Sequence, residues 1–151
     1  MTRKEKAMQS FLDGYNCCQC LMLAFEDMID IDLQQALRIA SPFGGGMGRL
    51  REVCGSVSGM FMVLGYILGY NEPEDYEGKK VLYAHIQELA RRYEEENGSI
   101  ICRDLLGLIE KRQDSVPEKR TEEYYTKRPC TEKIGSAAEI LENYLKELTL
   151  L

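Results

Sequence analysis

The sequence predicts an all-α fold: a single compact helical bundle with a glycine-bearing central helix. Three observations predict it. Apolar residues recur at helical spacing in nearly every segment. Capping residues and glycines punctuate those segments, and no β-hairpin signal interrupts them. Val53 to Tyr70, VCGSVSGMFMVLGYILGY, runs 18 residues without a charge, as expected of a helix at the middle of a bundle. A length of 151 residues suits one domain spanning residues 1–151, and no internal repeat or long linker divides it.

The elements follow in order. Met8, Phe11 and Leu12 close the apolar face of a first short helix, which Gly14 stops. Asn16 is a good N-cap for a second helix through Leu21, Met22, Phe25 and Met28. Asp32 caps a third, with Leu33, Ala36, Leu37 and Ala40 on its apolar side, and Pro42 ends it. Phe43 to Gly48, FGGGMG, is too glycine-rich to be helical. It lacks the preceding strand and following Lys-Ser/Thr pair of a phosphate loop, so it reads as a tight passage of backbone against backbone.

The central helix 53–70 comes next. Its four glycines, two serines and cysteine dilute its hydrophobicity and favour burial over a membrane span. Gly55 and Gly59 are four apart, as are Gly65 and Gly69. That spacing lets another helix or a cofactor approach the backbone. A long helix follows from about Lys79 to Asn97, with Leu82, Ile86, Leu89 and Tyr93 along one face and Gly98 at its end. Ser99 caps a short helix through Cys102, Leu105 and Leu106, stopped by Gly107. Residues 110–129 are polar, carry Pro117 and Pro129, hold one irregular helix and are expected to be the most mobile part. Thr131 caps a last amphipathic helix with Ile134, Ala138, Leu141 and Leu145. The count is six or seven helices.

Hydrophobic residues at 44% and charged residues at 29% describe an ordinary globular chain. The net charge of −6 argues against nucleic acid and against an anionic membrane surface, both of which attract basic faces. Membrane insertion is not expected. The start, MTRKEK, leads into an amphipathic segment and not an apolar leader, so the chain is expected in the cytoplasm. Disulfides rarely persist there, so six cysteines point to metal binding, catalysis or burial.

Four cysteines share one local context. Cys17 follows the cap Asn16, Cys54 lies in the first turn after the glycine loop, Cys102 is three residues after Ser99, and Cys130 precedes Thr131. Each is at or near a helix start, where free N–H groups and the dipole favour a thiolate. Convergence of the four would suit a thiolate-ligated metal or cluster, or a reactive dithiol. The plain alternative is that buried cysteines are small hydrophobes. Cys17 and Cys20 form a lone CxxC in CCQC. Neighbours one or two apart on a helix point away from each other, so Cys17 belongs to the site, Cys18 to the core, and Cys20 to either.

Other candidates are weaker. His85 is the only histidine, beside Leu82 and Leu89, and reads as packed or surface. No G-x-S-x-G elbow accompanies it. Met22, Met28, Met47, Met60 and Met62 read as core fillers more than soft-metal ligands. Tyr124 and Tyr125, near Cys130, are packing residues first and site-lining residues second.

GYNC (Gly14 to Cys17), FGGGMG…CGSVSG (Phe43 to Gly59), CRDLLG (Cys102 to Gly107) and the late Cys130 together resemble the C_GCAxxG_C_C family of redox-active proteins. The resemblance covers nearly the whole chain in order. It assigns the family cysteines to Cys17, Cys54, Cys102 and Cys130, with Gly55 and Gly59 in the central motif. Ser56 stands where the motif has alanine, and Cys18 and Cys20 stand where apolar residues are usual. The resemblance implies a redox role with metal or iron–sulfur binding, and names no reaction.

The leading expectation is a redox protein that binds an iron–sulfur cluster or another thiolate-bound metal through Cys17, Cys54, Cys102 and Cys130, with electron transfer as its role. Gly55 and Gly59 would give the cofactor access to the backbone. The second is a cofactor-free thiol–disulfide oxidoreductase cycling a pair such as Cys17 and Cys54. The third is a structural zinc module that holds a partner surface. The sequence names no redox partner and leaves a homo-oligomer open.

Overall fold

The computed structural model describes residues 1–109 and 112–151. Among these residues the fold is all-α and compact, with eight α-helices and no strand. The first two residues of the polar segment 110–129 lie outside the described residues.

Helix α1 (Arg3–Leu12) begins at a capping box in which Thr2 and Glu5 exchange hydrogen bonds. Asn16 and Gln19 repeat that device for α2 (Cys17–Ala24). Met28, expected on α2, instead lies on a 3-10 turn, Glu26–Met28. Asp32 caps α3 (Leu33–Ala40), and Pro42 falls in the 3-10 turn that follows it. Helix α4 (Gly55–Leu68) is the central helix, and α5 (Tyr76–Asn97) starts three residues before the expected Lys79 because Asp75 caps it. Helix α6 (Cys102–Leu106) is short, α7 (Glu122–Lys127) is capped by Thr121, and α8 (Cys130–Glu147) closes the fold.

Two expected caps are misplaced. Thr131 lies inside α8, whose N-cap is Pro129. Ile101 is the N-cap of α6; Ser99 acts earlier, its hydroxyl accepting from the Ile101 N–H and donating to Asp104. The glycine loop is irregular, as expected. Gly44–Met47 coils tightly, but Gly45 and Gly46 have left-handed φ values of 66° and 65°.

Helix α1 packs on α8 and α2, α2 packs on α4 and α3, and α8 reaches α4 and α5. One core runs through them, with Phe11, Leu21, Phe25, Met60, Leu64 and Leu141 buried. Each such side chain contributes roughly 1.5–3 kcal/mol by leaving water. The first two turns of α4 are buried on all sides, whereas Tyr66 near its end reaches the surface. Among the described residues no helix is long and apolar enough to cross a membrane. Cys18 and Cys20 are both core residues with no exposure.

The seating of α4 on α2 rests on two bare positions. A Cβ on Gly59 would stand 2.6 Å from the Leu21 Cβ and 3.1 Å from the Cys18 carbonyl. A Cβ on Gly55 would stand 2.8 Å from the Phe43 carbonyl and 2.9 Å from the Cys17 Cβ. Gly65, one face round, meets nothing within 4 Å.

Opposite outcomes are therefore expected from two alanine substitutions in one helix. Gly59→Ala should destabilise by about 1–3 kcal/mol through overpacking. Gly65→Ala should stabilise by about 0.5–1 kcal/mol through helix propensity. Urea unfolding followed by circular dichroism reads both; a neutral Gly59→Ala would show that the helix contact is looser than described.

Candidate thiol centre

Four helix starts carry the four cysteines. Cys17 is the first residue of α2, Cys54 is the N-cap of α4, Cys102 opens α6 and Cys130 opens α8. All four line one cavity of about 60 Å³.

Local chemistry places each sulfur. The capping box fixes Cys17, and the Asn16 side chain also donates to the Ser41 carbonyl at 3.0 Å, tying α2 to the 3-10 turn that leads into the glycine loop. An isolated antiparallel bridge between Val53 and Ile101 brings Cys54 beside Cys102. Around it the Cys54 N–H donates to the Ile100 carbonyl at 2.8 Å, and the Cys102 N–H donates to the Glu52 carbonyl at 2.6 Å. Gly46 is required where it stands. Its φ is left-handed, and a Cβ there would meet the Cys102 Cβ at 2.5 Å and the Arg51 Cα at 2.8 Å.

The thiols differ in electrostatics. The neighbouring Cys130 and burial push the Cys17 thiol well above the ordinary thiol value. The neighbouring Cys17 lowers Cys130, outweighing the cost of its burial. The two thiols are thus shifted in opposite directions, Cys130 towards the thiolate and Cys17 towards the thiol. Burial pushes Cys54 up, opposed by the Ser56 N–H and hydroxyl and by the Tyr93 hydroxyl. The Cys54 Sγ is 3.1 Å from the Ser56 Oγ and 3.8 Å from the Tyr93 Oη. Burial also raises Cys102, opposed by Arg51, whose Nη1 lies 3.5 Å from its Sγ. Cys18, outside the cavity, is pushed up to about 12 by burial.

Cations share the cavity wall. Arg51, Arg120 and Lys133 line it, with no carboxylate among the described lining residues. Arg51 is buried, at a left-handed φ of 58°, and its Nε and Nη2 donate to the Gln113 Oε1. Arg120 donates to the Phe11 and Tyr15 carbonyls and stacks over the Phe11 ring at 4.2 Å.

The other sequence candidates fall as follows. Gly55 lies in the cavity wall, but its bare face is taken by Phe43 and Cys17. Gly59 is one turn deeper, under Leu21, and is not part of the wall. Both glycines thus admit a helix where a cofactor was expected, because α2 covers the face they share. Cys17, expected to pair with Cys54, has both Cys54 and Cys130 in the same cavity lining, while the Cys54 sulfur also meets Ser56 and Tyr93. Tyr124 lines the cavity; Tyr125 packs edge-on against Phe11. His85 bonds the Tyr144 hydroxyl at 2.6 Å, and neither residue lines the cavity. Among the described residues, no three Cys, His, Asp or Glu groups are gathered to hold one metal ion.

Sequence reading missed Arg51, Arg120, Lys133 and Tyr93. The signal available was two arginines, Arg49 and Arg51, directly after a glycine loop in an acidic chain.

An all-α fold with four thiols and three cations around one cavity defines a cysteine-based redox class of protein. Residues 15–144 match the family described as "Putative redox-active protein (C_GCAxxG_C_C)", and the chain belongs to that family. The match spans all four cavity cysteines. Comparison with curated proteins and with solved structures found no match.

The Cys17–Cys130 contact sets an expected order of labelling. Iodoacetamide at neutral pH should modify Cys130 first, since the thiolate is the reactive form. The rate should fall as pH drops through the lowered Cys130 value. Cys17→Ala removes the S–H donor, so Cys130 should label several-fold more slowly at neutral pH while its rate at alkaline pH is kept. Peptide mass mapping over a pH series checks this; unchanged Cys130 labelling would remove Cys17 as the donor.

Proposed function

We propose that the cavity is a dithiol redox centre in which Cys130 attacks and Cys17 resolves. The observation that carries this reading is one cavity lined by Cys17 and Cys130 together with Arg51, Arg120 and Lys133 and, among the described residues, by no carboxylate; the two thiols shift each other in opposite directions. A dithiol needs one stabilised thiolate and a second thiol in reach of it. Here the neighbouring Cys17 shifts Cys130 towards its thiolate, and both residues are partly exposed where Cys54 and Cys102 are buried.

The step balances with a disulfide as oxidant. The Cys130 thiolate attacks one sulfur of the incoming disulfide, and the first half leaves as a thiolate that takes a proton. Cys17 then loses its proton and attacks the Cys130 sulfur, releasing the second half as a thiol. Two protein thiols become one disulfide, and two electrons pass to the oxidant. The six free thiols suit a reducing compartment, which is the basis for placing the protein in the cytoplasm.

A second reading, a thiolate-bound metal or iron–sulfur cluster used for electron transfer, rests on a different observation. Four thiols line one cavity, and three cations there would offset the charge of bound thiolates. The donor chemistry fits such a group. The donor positions do not, since Cys54 is turned to Ser56 and Tyr93 and Cys102 to Arg51. A structural zinc module would face the same mismatch.

One experiment separates these readings. Protein purified without oxygen is taken for absorption, metal and sulfide analysis, then oxidised in a graded disulfide buffer and peptide-mapped. The dithiol reading expects a colourless, metal-free protein that forms one Cys17–Cys130 disulfide, lost in Cys17→Ser and Cys130→Ser. Bleachable visible absorption with iron and sulfide, lost in Cys54→Ser, would overturn it in favour of the cluster. Stoichiometric zinc without colour would overturn it in favour of the structural module.

A further inference from the structure

Beside the thiol cavity lies a second hollow of about 370 Å³. The two share Asn16, Gly45, Arg51, Arg120 and Tyr124, so they are inner and outer parts of one approach to the sulfurs. The inner part, at about 60 Å³, admits only a small reacting group. The outer part is within the size range of small-molecule sites.

The charge of this approach is opposite to that of the molecule. The chain carries −6, yet Arg51, Arg120 and Lys133 have no carboxylate partner among the described residues. Glu118 is the carboxylate on the outer wall, and Arg49 and Arg128 both pair with it. Asp114 is also engaged by Arg49. Arg51 and Arg120 spend their donors on Gln113, Cys102 and the carbonyls of Phe11 and Tyr15, so they supply field more than free hydrogen bonds. Lys133 has no hydrogen-bonded acceptor among the described residues, which leaves its ammonium to meet a ligand. Even an ionised Cys130 would offset only one of the three positive charges.

We infer that the oxidant is a low-molecular-weight anionic disulfide, its sulfurs entering the inner cavity beside Cys130 and its carboxylates held in the field of Arg51, Arg120 and Lys133. This rests on the dithiol reading above and names its substrate class. The anionic half that leaves is a thiolate, and the same field stabilises it as it departs. A cationic disulfide would meet the three positive groups directly, and a protein disulfide would have to enter an opening shaped for a small molecule.

The test is single-turnover oxidation of the fully reduced protein by three disulfides of similar size. Dithiodipropionate bears two negative charges, hydroxyethyl disulfide none, and cystamine two positive charges. Each rate, read as the loss of Cys17 and Cys130 alkylation, is divided by the rate of the same disulfide with mercaptoethanol. The normalised rate should be about tenfold or more higher for dithiodipropionate than for cystamine, with hydroxyethyl disulfide between them. High salt should compress that ratio, and Lys133→Gln should lower it several-fold. A ratio within about twofold, or a reversed one, overturns the charge assignment and leaves the dithiol reading standing. If none of the three oxidises the pair faster than it oxidises the thiols of the urea-unfolded chain, the dithiol reading falls as well.

Discussion

The contact on which the centre depends is the close seating of α4 on α2. Gly59 admits Leu21 and Gly55 admits the Cys17 Cβ, so the two helix starts stand side by side with no side chain between them. Cys17 and Cys54 belong to those starts, and their relative position follows from a packing contact and not from a bond between them. The remaining two sulfurs are brought in by equally local means. The Val53–Ile101 bridge sets Cys102 beside Cys54, and the packing of α8 across α1 and α2 sets Cys130 against Cys17. The glycine loop joins these parts, since Gly44 touches Asn16, Gly45 shares the cavity wall with Cys17 and Gly46 makes room for Cys102. A methyl group on Gly46 would push directly on Cys102, which is why a loop of three glycines stands in a chain that is otherwise helical.

Four helix starts point positive dipole ends at the cavity, but the dipole does not decide the outcome at each thiol. A surface dipole effect is worth about 0.3–1 kcal/mol, whereas burying a charge costs several. Burial therefore wins at Cys54 and Cys102 even with hydroxyl or guanidinium donors beside them. It loses only at Cys130, where the neighbouring Cys17 thiol opposes it. The centre is thus asymmetric: Cys130 is shifted towards its thiolate and the other three cysteines towards their thiols. This asymmetry makes a single attacking sulfur intelligible in a site with four.

The helices and the cysteine context were legible in the sequence because both are local. Asp32 with its apolar spacing marks α3 at both ends, and Asn16 marks the start of α2. Where a cap competes with neighbouring chemistry, the reading slipped. Ser99 turns the chain one step before α6, and Pro129 takes the cap position that Thr131 resembles. The site's long-range partners left no local trace. A bridge of one residue pair produces no alternation, so the approach of Cys54 and Cys102 was invisible. Arg120, in a segment read as mobile, reaches across the chain to Phe11 and Tyr15, and no periodicity encodes that contact. Tyr93 was legible as an apolar-face residue, but its hydroxyl's role at Cys54 depends on how α5 meets α4.

Ser56 shows how a one-atom departure from a motif acquires chemical meaning. Where alanine would offer a methyl group, Ser56 places a fully buried hydroxyl 3.1 Å from the Cys54 sulfur. A buried hydroxyl must find a partner, and the described surroundings offer Cys54 and Tyr93. The pair of hydroxyls gives the Cys54 sulfur two polar neighbours on the α5 side of the cavity. With alanine at this position the Cys54 sulfur would lose its nearest hydrogen-bond partner. What the Cys54 sulfur meets is therefore decided by the residue two positions after it, and in this chain it meets a hydroxyl.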